Sequence, residues 1–289
     1  VARTINKSRA HQLLEDLYGR LNRSDYIHPD PLETALQFPN QHDREVAALL
    51  AALFALGRVD LILDYLKRLF IILDEPYAML RSSRPQELRD MISRRVYRFF
   101  SYDRLIDLLS AIASVLRRYG SLEAAASVPA GVYRPAAVDR DRLTGSFAAL
   151  YALENLGSQL RAAMPDGNAR LPGIVFPRMR TEAFHRGGAA KRPLLFLRWM
   201  VRRDAVDPGG WELIRPAQLL YPLDTHMMDL SGAMGIRSRR GANMASAMEI
   251  SNWFREIEPE DPVKYDFSLT RLGIHPDLSK ESFLNSFNR

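Results

Sequence analysis

The 289-residue sequence predicts an all-α fold, and three observations carry that prediction. Apolar residues recur at three- and four-residue spacing along most of the chain, and strand-like alternation is rare. Capping residues and glycines fall where such segments begin and end. The hydrophobic content of 47% is enough for a substantial core, shared by one large domain or two lobes.

The elements follow in order, around a dozen helices with no internal repeat. Leu13, Leu14, Leu17 and Leu21 share one face of an N-terminal amphipathic helix. A proline-rich connector, 28–43, leads to an apolar helix with Asp43 as its expected N-cap, Glu45 in its first turn and Gly57 at its end. Residues 58–73 supply the next helix, and Pro76 and Pro85 mark the starts of short ones. Residues 101–120 read as a clear helix closed by Gly120, and Ser121 caps the short helix after it. Residues 141–164 form a longer helical segment in which Gly145 and Gly157 are possible interruptions. From 165 to 190 the texture changes to Pro, Gly and Arg, which marks a surface region expected to carry function. Helices over 224–235, 241–257 and 260–274 close the chain.

Composition narrows the chemistry. With no cysteine, disulfides, thiolate zinc sites and cysteine-ligated iron–sulfur clusters are excluded. The N-terminal stretch lacks a signal-peptide core, and the densest apolar run, 46–57, is too short to cross a bilayer. A soluble, intracellular protein without a membrane partner is therefore the expectation. The formal charge of +6 and the isoelectric point near 9.6 point to a polyanionic partner. Arg178, Arg180, Arg186, Lys191, Arg192, Arg198, Arg202 and Arg203 cluster together, and Arg237, Arg239 and Arg240 form a second group. Either group also reads as a solvated helix face.

Lysine is scarce, five residues against thirty-five arginines. Arginine stays protonated and suits phosphate contact, whereas lysine can shed its proton and act as a nucleophile. Lys191 follows a Gly-Gly turn at the start of an apolar helix. Thirty-three residues later (224 − 191), Asp224 precedes another helix within "PLDTHM", and "KYDFSLTRLGI" follows, with Gly273 near its end.

This constellation resembles the helix-hairpin-helix superfamily of DNA glycosylases, in which a hairpin carries a catalytic lysine and a later "VDTH"-like stretch a catalytic aspartate. The chain is also similar to an uncharacterised bacterial family distantly related to those enzymes, from "DREVAALLAALFALGRVD" through "KRPLLFLRWMVR" and "PLDTHM" to "PVKYDFSLTRLGI". The glycosylase motifs proper cover about 187–235. Anchored on Lys191, the hairpin keeps its first glycine as Gly187 and has Ala189 in place of the second. The lysine-to-aspartate interval is longer than in the endonuclease III type and more like the archaeal 8-oxoguanine glycosylase branch.

The resemblance implies a two-lobed, helix-hairpin-helix glycosylase-like fold. A helical barrel over 42–205 would face a lobe formed from 1–41 and 206–289. It implies a bifunctional N-glycosylase and abasic-site lyase acting on double-stranded DNA with an oxidised base, 8-oxoguanine foremost, as a monomer without cofactor or metal. Lys191 and Asp224 would be catalytic, and Gly187, Gly188, Ala189 and Arg192 would contact DNA. Trp211 and Phe196 are candidates to line the base pocket, although each also reads as core. A small-residue hairpin lets backbone amides approach a phosphate, and the helix N-terminus beside Arg192 would favour the neutral lysine amine. Asp224 also reads fully as an N-cap, and His226 as a packing residue. A non-catalytic module for damaged or branched DNA, and a helical enzyme acting on RNA or a nucleoside, are the rival readings.

Overall fold

A computed structural model of the chain describes residues 6–92, 101–128, 147–164, 176, 188–237, 241–275 and 278–288. Among the described residues all extended regular structure is helical: α1 (Lys7–Leu21), α2 (Leu32–Leu36), α3 (Gln41–Phe54), α4 (Val59–Ile72), α5 (Pro76–Ser82), α6 (Pro85–Met91), α7 (Tyr102–Tyr119), α8 (Leu122–Ser127), α9 (Phe147–Ala162), α10 (Lys191–Val201), α11 (Thr225–Ala233), α12 (Met244–Arg255), α13 (Asp266–Ile274) and α14 (Lys280–Phe287). None of them is long and apolar enough to cross a membrane.

Local chemistry explains most boundaries. Ser101, Ser121 and Asn243 accept the amides of Arg104, Ala124 and Ser246, and so cap α7, α8 and α12. Gly120, at φ +86°, closes α7 in a conformation that other residues adopt at a cost. The N-cap of α3 is Asn40 rather than Asp43. Asn40 takes the amides of His42 and Asp43, while Asp43 accepts the amide of Tyr77 at the start of α5 (2.8 Å). Helix α3 ends at Phe54, three residues before Gly57. The proline-rich connector contains α2, and α14 extends the C-terminal part beyond the helices read from the sequence. Gly157 does not break α9: its missing side chain makes room for Phe176, whose Cβ would stand 2.5 Å from an added Cβ.

Helix α3 is the axis of the larger assembly. Val46 through Phe54 are all buried, so it is apolar on every side and must be surrounded. Helices α2, α4, α5 and α10 pack against it, while α7, α8 and α9 pack on one another. At the other side α1 packs on α13 and α14, and α11 on α13. The segment 1–41 is thus divided: α1 joins the C-terminal helices, whereas α2 lies on α3 and α4.

Glu45, buried on α3, ties these parts together. Its carboxylate accepts the amides of Leu122 (3.0 Å) and Glu123 (2.8 Å) at the start of α8 and the indole N–H of Trp211 (2.7 Å). Burial pushes its carboxyl up to about 7, against the pull of those three donors. The folded protein therefore holds this proton more tightly than the unfolded chain. The contribution is fully present below the unfolded pKa near 4.5 and is lost as pH rises through about 7. Denaturation curves should show the stability of the parent protein, relative to Glu45→Gln, falling by about 3 kcal/mol between those limits. A difference independent of pH would mean that Glu45 titrates normally.

Candidate active site

Lys191 is the first residue of α10, and the approach to it is tightly built. Exposed Gly188 forms an isolated antiparallel bridge with Asn243, the cap of α12. Ala189 and Ala190 are buried, and Ala190 adopts φ +48°, a left-handed backbone, where the carbonyl of this residue accepts the amide of Leu194 (3.0 Å). Alanine offers no side-chain acceptor to the first amides of α10, and Pro193 costs nothing within the first turn, where intrahelical acceptors are lacking anyway.

Asp224 reaches the same place from another direction. The segment before it, Leu219–Leu223, is buried, and the Tyr221 amide is bound by Ser251 Oγ of α12 (2.9 Å). Asp224 caps α11 by accepting the Met227 amide through Oδ1 (2.7 Å). Its other oxygen, Oδ2, lies 3.8 Å from Lys191 Nζ. The side chains are 36% and 17% exposed, so the amine meets solvent while the carboxylate is largely sheltered. Capping consumes one oxygen and leaves the second for the lysine. At 3.8 Å the two attract as ions without a hydrogen bond locking them together. Helix α11 lies close to α13 because Gly273 has no side chain; a Cβ there would stand 2.7 Å from Nδ1 of His226.

Several sequence expectations need correction. The Arg192 guanidinium turns inward and donates to the Leu53 carbonyl at the end of α3 (2.8 Å), and burial lowers its pKa. It satisfies a carbonyl that the helix leaves without an intrahelical partner, instead of presenting charge to a phosphate. The side chain of Ala189 belongs to the core. Trp211 and Phe196 are buried, packed edge to face at 5.3 Å, with the indole N–H on Glu45, so both are part of the interior. Gly187, Arg178, Arg180, Arg186, Arg239 and Arg240 lie outside the described residues. Arg237 donates to the Met228 carbonyl (2.7 Å).

The basic cluster also contained residues of another kind. Arg198 on α10 and Arg202, the residue that ends it, are buried. Arg198 donates twice to Asp207 Oδ1 (3.2 and 2.9 Å) and once to Asp266 of α13. Arg202 pairs with Asp207, with Asp204 (2.8 Å) and with Asp261 (2.9 Å), and Tyr18 of α1 donates to Asp204 (3.1 Å). Burial opposes the charge on both arginines, yet the surrounding aspartates raise their pKa values well above normal. This network fixes the lysine helix to α1 and α13. A sequence signal existed: two arginines four apart, in and at the end of an apolar helical stretch, call for buried acidic partners.

Elsewhere, His11, Glu15 and Glu258 bring ligand atoms within 4.8 Å of one another. The ammonium of Lys264 already sits there, 2.6 Å from Glu15 and 3.3 Å from Glu258.

A family model described as "Protein of unknown function (DUF2400)" matches residues 30–275, most of the chain. The chain belongs to that family. No curated protein and no solved structure matches it. The matched span includes Gly187–Ala190, Lys191, Asp224 and the buried arginine–aspartate network, so the candidate site lies within the matched residues.

Proposed function

We propose that the protein is a DNA N-glycosylase with abasic-site lyase activity, built on the helix-hairpin-helix glycosylase plan, with Lys191 as nucleophile and Asp224 as its proton acceptor. One observation carries this reading: a lysine and an aspartate singled out 33 residues apart (224 − 191) come within 3.8 Å, at the starts of two helices, with the amine open to solvent. In the reaction, Asp224 takes a proton from the lysine ammonium. The freed Nζ lone pair bonds to the sugar C1′ of a nucleotide rotated out of the duplex. The C1′–N bond breaks with its electron pair leaving on the base, which takes up a proton. Asp224 gives its proton to the departing base and is ionised again. Opening of the C1′–O4′ bond, with a proton passing from the new C1′–N group to O4′, then yields the protonated Schiff base, whose positive charge the Asp224 carboxylate stabilises. Backbone amides at the start of α10, which Ala190 cannot cap, are suited to a DNA phosphate. An oxidised purine is the substrate class to test first.

The deciding experiment is borohydride reduction of the protein with duplexes carrying an abasic site or 8-oxoguanine. A covalent protein–DNA adduct on Lys191 is expected. Salt-dependent binding without an adduct would indicate a non-catalytic DNA module, and activity on RNA or a nucleoside alone would exclude duplex DNA as the substrate. Binding should weaken steeply with salt, because phosphate contacts release counterions. Salt-insensitive binding, or none, would count against the reading as a whole.

A further inference from the structure

We propose that α12 is the brace that sets the distance between Lys191 and Asp224, with Asn243 and Ser251 as its positioning residues. The inference rests on the reading of that pair as the reacting groups. The two residues stand on different helices, and at 3.8 Å no hydrogen bond joins their side chains. The backbone that carries each of them is held three residues upstream (191 − 188 and 224 − 221), and both holds come from α12. On the lysine side, Gly188 pairs with Asn243 in the isolated antiparallel bridge. On the aspartate side, Ser251 Oγ accepts the Tyr221 amide (2.9 Å).

Each hold is stiff for local reasons. Asn243 Oδ1 accepts the Ser246 amide (3.0 Å), and the Gly241 carbonyl accepts both the Asn243 amide (3.0 Å) and the Ser246 hydroxyl (2.6 Å). The backbone that meets Gly188 is thereby tied to the first turn of α12, where Ser246 is wholly inaccessible. Ser251 is inaccessible too, and its hydroxyl donates to the Ala247 carbonyl (2.6 Å), which leaves a lone pair directed at the Tyr221 amide. The Tyr221 ring stacks on Phe254 at 4.5 Å. One turn beyond Ser251, Arg255 donates to the carbonyls of Leu219 (3.2 Å) and Ala217 (3.4 Å). The whole approach to Asp224 is thus docked on the second half of α12. Asn243 and Ser251 are eight residues apart (251 − 243), a span of about 12 Å along a helix whose rise is fixed by its hydrogen bonds.

Proton transfer and attack on a sugar carbon both depend on where the amine and the carboxylate stand. A displacement of about 1 Å in such a pair can cost roughly a hundredfold in rate. Asn243 and Ser251 act on that separation through the two backbone segments, and not on the reacting atoms. A change at either end of α12 therefore alters the chemical step more than the grip on DNA.

Two measurements test this. The first is amide hydrogen exchange of the protein alone. Asn243→Ala removes the cap of α12, and the Leu194 amide, bonded to the Ala190 carbonyl at the start of α10, should exchange roughly fivefold faster. Asn243→Asp still caps the helix and should restore the parent rate. Ser251→Ala should have a similar effect, roughly fivefold, on the Met227 amide that Asp224 binds. The Ile112 amide, in the middle of α7, should keep its parent rate throughout. Leu194 and Met227 amides that do not respond, or all three accelerating together, overturn the proposal. The second measurement is borohydride trapping on abasic-site duplex. Both alanine variants should trap roughly tenfold more slowly at saturating DNA, with the DNA concentration for half-maximal rate unchanged and Asn243→Asp like the parent. Unchanged trapping rates in both overturn the proposal as well. If the parent protein traps nothing while the amides respond as described, the glycosylase reading fails and the brace stands. If Ser251→Ala does not fold, judged by circular dichroism, the two variants of the half-buried Asn243 decide alone.

Discussion

Lys191→Arg is expected to abolish borohydride-trapped adducts while leaving DNA binding close to that of the parent protein. Arginine keeps the positive charge beside Asp224 but supplies no neutral amine, so any phosphate contact survives and the nucleophile is lost. Asp224→Asn provides the complementary result. Asparagine caps a helix about as well as aspartate, and its Oδ1 can still accept the Met227 amide, so stability should move by less than about 1 kcal/mol. The pair with Lys191 is partly exposed, and losing it adds little to that change. Turnover should nevertheless fall by roughly two or more orders of magnitude, because proton acceptance and charge stabilisation both leave with the carboxylate. A fully active Asp224→Asn protein would reduce Asp224 to a cap, and an adduct with Lys191→Arg would place the nucleophile elsewhere.

The largest effect on stability is expected from Asp207→Ala. Asp207 is wholly inaccessible and accepts from both Arg198 and Arg202. Its removal leaves two buried guanidinium groups short of an acceptor and of opposing charge. Breaking a buried ion pair on one side costs about 3–5 kcal/mol, and urea denaturation should show a loss of that size. A loss below about 1 kcal/mol would mean that water reaches the arginines. The lysine helix should lose its register against α13 as well, so trapping by the folded fraction of Asp207→Ala should also be slower.

Helical periodicity and capping chemistry were readable because they act within a few residues. Ser101, Ser121 and Gly120 mark helix ends in the sequence and in the fold alike. The choice between Asn40 and Asp43 as the cap of α3 was not readable: Asp43 is claimed by the amide of Tyr77, 34 residues away. Lys191 and Asp224 stood out through a resemblance, and the structure brings them together. Arg192, Arg198 and Arg202 looked alike as charges near a hairpin, yet tertiary partners turn all three inward. Asp266 gave no sign of its place, since its burial depends on Arg198, 68 residues earlier in the chain. The burial of Trp211 and Phe196 was unreadable for the same reason: an aromatic in an apolar segment is decided by what surrounds it.

The left-handed Ala190 has a consequence for how firmly the start of α10 is held. A glycine at that position would adopt the same backbone without strain, whereas alanine accepts a cost of about 1–2 kcal/mol for φ +48°. In exchange the residue has fewer conformations available when the chain loosens, and its methyl group is buried in the core. The support under Lys191 is therefore stiff at the position where a hairpin would ordinarily be most pliable. An incoming DNA strand would meet a backbone already set at the start of α10, and little of its binding energy would be spent on ordering that backbone.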